Sequence, residues 1–208
     1  MKKIVLAVLA ISATFLFVSC SDFFDDLFGN VKGEATVIIN SGAESKFSSS
    51  IVMQGTNDSV PFYVGLAMNM DVKELMKIEN ADQVEYPVFC YRFSGNDIKS
   101  GATLTANNTL TEEDLVDFRY TDMISGKFAD SQVIGIAESD TKFYVMSSGT
   151  IQIDNVKKNK ISGSYSGSAY VIDRNATPML SEEQVTISGT FVSRVVPMMT
   201  WINRLQNN

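Results

Sequence analysis

The sequence predicts an all-β fold, an antiparallel β-sandwich or a partly closed barrel, with one to three short helices. Three observations predict it. Apolar residues alternate with polar ones at period two in several stretches. Clusters of Gly, Pro, Asn and Ser separate those stretches. A five-residue pattern, Ile-Ser-Gly-x-aromatic, occurs three times.

Val60, Phe62, Val64, Leu66, Met68 and Met70 occupy every second position, which predicts a strand with six apolar side chains on one face. Phe143 and Val145, then Gly149, Ile151 and Ile153, read as a continuation of such a pattern around Ser147. The clearest stretch is 161–172. There Ile161, Gly163, Tyr165, Gly167, Ala169 and Val171 point one way, and Ser162, Ser164, Ser166 and Ser168 the other. One packed face and one wet face are typical of antiparallel sheets. Val185, Ile187, Gly189 and Phe191 repeat the inward set, with Thr186, Ser188 and Thr190 opposite. Residues 173–184, with Asn175, Pro178 and Ser181, suit a loop, and 154–160 reads as a polar hairpin loop. The repeated pattern falls at 124–128, 161–165 and 187–191. Its glycine lets a neighbouring ring lie over the backbone, so all three copies read as recurring sheet chemistry.

Helices are expected at three places. Residues 71–79 carry Val72, Leu75 and Met76 at helical spacing. A second helix starts at Thr111, which can cap it, with Glu112, Glu113 and Asp114 at its positive end. Residues 197–205 carry Met198, Met199, Trp201, Ile202 and Leu205 and read as a closing helix. Some eight or nine strands result, a number that does not separate sandwich from barrel.

Composition narrows the chemistry. Of 208 residues, 1–19 read as a leader, 20–33 as an acidic tether and 34–208 as a single β-rich domain with room for a sizeable core. The net charge of −7 becomes −9 once Lys2 and Lys3 leave with the leader. Such a domain lacks the cationic footprint that phosphate contacts need, so nucleic acid is not an expected partner. There is no histidine. That removes Ser-His-Asp and Cys-His machinery and the commonest metal ligand. No Gly-rich phosphate loop, dinucleotide fingerprint or EF-hand spacing occurs, and no cofactor is implied. Of the two cysteines, Cys90 lies in an apolar strand-like run and reads as an inert core thiol.

The leader assigns the address. Lys2 and Lys3 precede an apolar core at 4–18, too short for the roughly 20 residues of a spanning helix. Phe17-Val18-Ser19-Cys20 resembles the lipobox of bacterial lipoproteins, although Phe17 stands where leucine is usual. The resemblance implies that Cys20 is acylated, becomes the first mature residue and makes the membrane a partner. Asp22, Asp25 and Asp26 resemble the export signal of lipoproteins in Bacteroidota-type bacteria. That implies an outer-membrane location with cell-surface exposure. With segments 160–167 and 184–191, the chain resembles small uncharacterised lipoproteins of that group. Asp58-Ser59-Val60 resembles their O-glycosylation acceptor, which implies modification at Ser59.

No catalytic residue is assigned. The acidic candidates are Glu112, Glu113 and Asp114, Glu138 and Asp140, and Glu182 and Glu183, and turn-borne acids are usually solvated caps. The expected function is a noncatalytic, membrane-anchored binding or interaction module whose partner is a glycan or an envelope protein. A carboxylate-dependent, glycan-active enzyme and a structural envelope or surface-fibre subunit are the alternatives.

Overall fold

A computed structural model describes residues 33–70 and 85–196. The expectations for the leader, Cys20, most of the tether, the helices at 71–79 and 197–205, and Trp201 lie outside the described residues.

Among the described residues, ten strands form one sheet. They are β1 (Glu34–Ile39), β2 (Ser45–Phe47), β3 (Ser49–Asn57), β4 (Val60–Met68), β5 (Val88–Ser94) and β6 (Thr103–Asn107). β7 (Val133–Ala137), β8 (Lys142–Lys157), β9 (Lys160–Asp173) and β10 (Val185–Val196) follow. Hydrogen bonding runs round a ring, β10-β3-β4-β5-β7-β8-β9 and back to β10. β1 and β2 extend from β10, and β6 extends from β8. The fold is thus the partly closed barrel among the expected all-β classes. Its closure is the one parallel pairing among the described strands, where Arg194 to Val196 run beside Ile51 to Met53. Local alternation cannot reveal that pairing, because it joins segments about 140 residues apart.

The barrel interior is filled by rings. Phe89, Tyr91 and Phe93 point inward from β5 and meet Tyr165 and Phe191 from β9 and β10. Ring centroids lie 4.6 Å apart for Tyr91–Phe93, 4.9 Å for Tyr91–Phe191 and 5.6 Å for Phe89–Tyr165. Each fully buried aromatic contributes roughly 1.5–3 kcal/mol. Glycines make room for them. Gly65 pairs with Tyr91, Gly163 with Phe191 and Gly189 with Tyr165, so three of the five rings lie over a cross-strand glycine. The second and third Ile-Ser-Gly-x-aromatic copies are therefore each other's partners, glycine against ring in both directions. The first copy is different. Residues 124–128 lie in 3-10 turns, with Gly126 at φ 54°, so the expectation of sheet structure fails there. The same five letters carry no register of their own.

A second buried layer covers the outside of β5, β7 and the start of β8. Three short 3-10 turns, Glu112–Leu115, Tyr120–Ile124 and Gly126–Phe128, bury Leu115, Met123, Ile124 and Phe128. Phe118 packs edge-on against Phe143, with ring centroids 5.6 Å apart. β5 is consequently buried on both faces. The helix expected from Thr111 is thus a single 3-10 turn, and Val116 beyond it is exposed. Asp114 closes the turn by accepting from Thr111 N (2.7 Å) and Thr111 Oγ1 (2.8 Å).

Two further expectations change. In β4, Val64, Leu66 and Met68 are buried on the outer face, but Val60 is 37% exposed, and Tyr63 and Ala67 fill the barrel from the other face. In β8, a bulge at Ser147 reverses the alternation. Tyr144 and Met146 point inward before it, Ile151 and Ile153 after it, so Phe143 and Val145 do not share a face with Ile151. The loop expected at 154–160 shrinks to the turn 158–159, since β8 pairs with β9 out to Lys157 and Lys160.

Candidate functional site

The acidic candidates gather mainly around one end of the barrel, and three of them, Glu112, Asp114 and Glu138, accept hydrogen bonds that hold turns or loops. The β7–β8 turn carries Glu138 and Asp140. Glu138 Oε2 accepts from the Tyr144 hydroxyl at 2.6 Å and faces Lys142 Nζ at 3.0 Å. The hydrogen bond from Tyr144, then the one from Lys142, holds its carboxyl below the usual range. Glu138 and Tyr144 in turn raise Lys142. Desolvation, reinforced by Glu138, raises Tyr144. Asp114 is likewise held low, first by Lys127 at 2.5 Å, then by Thr111. General acid–base work needs proton affinities near the working pH. These neighbours move carboxylates down and the lysine up, away from it. The groups are suited to fixed electrostatic roles.

The role of Glu112 is long-range and has no local signature. Its carboxylate accepts from the consecutive backbone amides of Met179 (3.2 Å) and Leu180 (2.6 Å). It clasps the β9–β10 connection, 68 residues away, to the 3-10 turn. That connection is held on its other side by Asp173 N to Met179 O and Ser181 N to Val171 O, both 2.9 Å. The connection and the end of β9 line a groove of ≈ 300 Å³. Val171, Pro178, Met179 and Leu180 supply apolar lining, and Asp173 and Glu182 line it as well. Glu182 and Glu183 are exposed, and Glu183 N donates to Ser181 Oγ. The structure thus brings Glu112 to the loop that carries Glu182 and Glu183. Among the described residues, no three acidic or thiol groups are placed to hold a metal ion.

Ser59 sits where the sequence expects it, on an exposed turn. Asp58 (φ 46°) and Ser59 (φ 70°) form the two-residue connection between β3 and β4. Two residues with positive φ match the twist of a tight hairpin. Cys90 is fully buried, with its thiol pKa raised by desolvation, consistent with a core thiol.

Three polar features are set by tertiary contacts rather than by any local pattern. Arg92 projects from β5 into the outer layer. Its Nε donates to Ala129 O (2.6 Å), its Nη1 to Ile124 O (3.2 Å), and its guanidinium lies 4.6 Å from the Phe62 ring centroid. It pins the 3-10 segment to the sheet. One cation inside the apolar run 88–93 was the available signal. Asn108 Nδ2 donates to Gln132 O (3.0 Å) and Met146 O (2.9 Å), sealing the joint where β8 exchanges β7 for β6. Inside the barrel, Ser50 Oγ and Ser193 Oγ pair at 2.7 Å, beside Tyr91. The buried Tyr91 hydroxyl has no partner in hydrogen-bond geometry among the described residues.

Comparison with protein-family models, curated proteins and solved structures finds no match to this chain. Acids tied to backbone amides, a lysine or a tyrosine fix loops, and rings occupy the barrel, which leaves the outer sheet and the loop ends as accessible surface.

Proposed function

We propose that this chain is a lipid-anchored, noncatalytic binding or interaction module of a bacterial cell envelope. Cys20 carries the acyl chains, and the body stands at the outer-membrane surface. The leader Lys2-Lys3, the apolar stretch 4–18 and Ser19-Cys20 support the anchor. The observation that carries the noncatalytic part is the bonding of Glu112, Asp114 and Glu138. Each accepts hydrogen bonds that hold a turn or a loop in place, and none stands free over a cleft as an acid poised for transfer.

Fractionation tests the reading. Wild-type protein sediments with membranes and is cleaved by protease added to whole cells, while Cys20→Ser abolishes acylation. Wild-type protein found soluble, or a Cys20→Ser variant still labelled by palmitate, contradicts the proposal.

A further inference from the structure

The outer faces of β6, β8, β9 and β10 carry a feature that neither the acids nor the anchor uses. Register places Thr105, Thr150, Ser166 and Ser188 in one row across the four strands. A parallel row runs from Asn107 through Ser148 and Ser168 to Thr186. Another runs from Thr103 through Gln152 and Ser164 to Thr190. Every position of this four-by-three array is a hydroxyl or an amide, and none is charged or aromatic. Eight of the twelve side chains are exposed and four half-buried. The bulge at Ser147 creates it by turning Ser148, Thr150 and Gln152 outward in step with β9.

Strand spacing makes the array about 14 Å wide and about 13 Å long. At its edge, Thr103 Oγ1 donates to Gln152 Oε1 at 2.6 Å, and Thr190 Oγ1 pairs with Thr36 Oγ1 at 3.1 Å. The central-row hydroxyls of Thr105, Thr150, Ser166 and Ser188 make no hydrogen bond to another described residue.

The chemistry selects a partner. Anionic lipid and nucleic acid need cations, and the array has none. A second copy or another protein needs apolar or aromatic anchors at the centre of its interface, and the centre here is serine and threonine. Hydroxyls donate and accept at once, so their complement is an uncharged surface dense in groups that do the same. A wide, open sheet face suits an extended polymer, since small ligands occupy concave sites. We infer that this face binds a neutral polysaccharide through many weak hydrogen bonds. The inference rests on the binding-module reading and names its ligand class.

The test is affinity electrophoresis of the full-length native protein in detergent. Gels contain a β-glucan, an α-glucan or a mannan, with polygalacturonate as the anionic control. At least one neutral polymer retards the wild type. The Thr150→Ala/Ser166→Ala/Ser188→Ala variant binds it about tenfold or more weakly, as expected for three modest hydrogen bonds. Lys157→Ala, in the hairpin at the end of the same sheet, is retarded like wild type. Circular dichroism melts verify that each variant is folded. Retardation by no neutral polymer, by polygalacturonate alone, or equally for wild type and triple variant overturns the inference. So does a dimer, seen by light scattering, that the triple variant abolishes. An acylated Cys20 in a sample that binds no polymer overturns the polysaccharide and leaves the anchor standing.

Discussion

Replacing Gly65 with alanine places a methyl carbon 2.0 Å from Tyr91 Cε1 and 2.1 Å from Cζ. Ordinary contact begins at 3.4 Å, so the ring must retreat by more than 1 Å. It has nowhere to go. Tyr91 is fully buried, with Phe93 at 4.6 Å and Phe191 at 4.9 Å. Interiors packed to crystal density pass such a displacement to their neighbours, and overpacking costs 1–3 kcal/mol or more. We expect Gly65→Ala to lose about 3 kcal/mol, a fall in Tm of roughly 6–12 °C for a domain of this size. Tyr91→Ala leaves a cavity and loses about 3–5 kcal/mol. All three atoms nearest the new methyl belong to Tyr91, so the double variant escapes the clash. It should be more stable than the sum of the single losses predicts, by about 1–3 kcal/mol. Urea unfolding followed by circular dichroism reads all four corners of the cycle. Strict additivity, or a Gly65→Ala melt equal to wild type, refutes the glycine–ring account. Gly95→Ala is the control: nothing lies within 4 Å, and its cost is only that of φ 129°.

Other perturbations follow from single contacts. Arg92→Met removes two hydrogen bonds and the contact with Phe62, so we expect a loss of about 2–4 kcal/mol and faster proteolysis in 119–131; unchanged cleavage counts against the pin. Tyr91→Phe deletes a buried hydroxyl that has no hydrogen-bond partner among the described residues, so its urea midpoint should equal or exceed that of wild type; a fall beyond about 1 kcal/mol means the hydroxyl is bonded after all. Glu112→Ala frees the amides of Met179 and Leu180, whose hydrogen exchange should accelerate while that of β9 stays slow. Glu138 has a folded pKa below its ordinary 4.5. Its stabilising contribution is therefore complete above that value and lost as pH falls through the folded pKa. Glu138→Gln should flatten the acid limb of the stability profile below about pH 4.5 and leave its slope at neutral pH unchanged.

Alternation made β9 and β10 legible residue by residue, down to which face Ser166 and Thr190 occupy. It did so because each strand has one wet face. β4 and β5 are buried on both sides, so period two in β4 marked the outer set and hid Tyr63 and Ala67. In β8, a one-residue bulge reversed the pattern, and nothing local to Ser147 announces it. The glycine–ring motif was visible, but its pairing was not, since cross-strand register is a property of two segments together. The 3-10 turns at 112–128 are too short to show a helical period. The acids were found where they lie, but their partners were not. Glu112 meets amides 67 and 68 residues away. The polar array was half legible, as serines on β9 and hydroxyls on β10. Only the sheet order adds β6 and β8 to it.

Intact-mass spectrometry of the protein extracted from its own membranes tests the central proposal most directly. It should find a chain that begins at Cys20 and carries the added mass of two or three acyl chains. A chain that keeps residues 1–19, or one that starts at Cys20 with an unmodified thiol, contradicts the lipid anchor and removes this domain from the membrane surface.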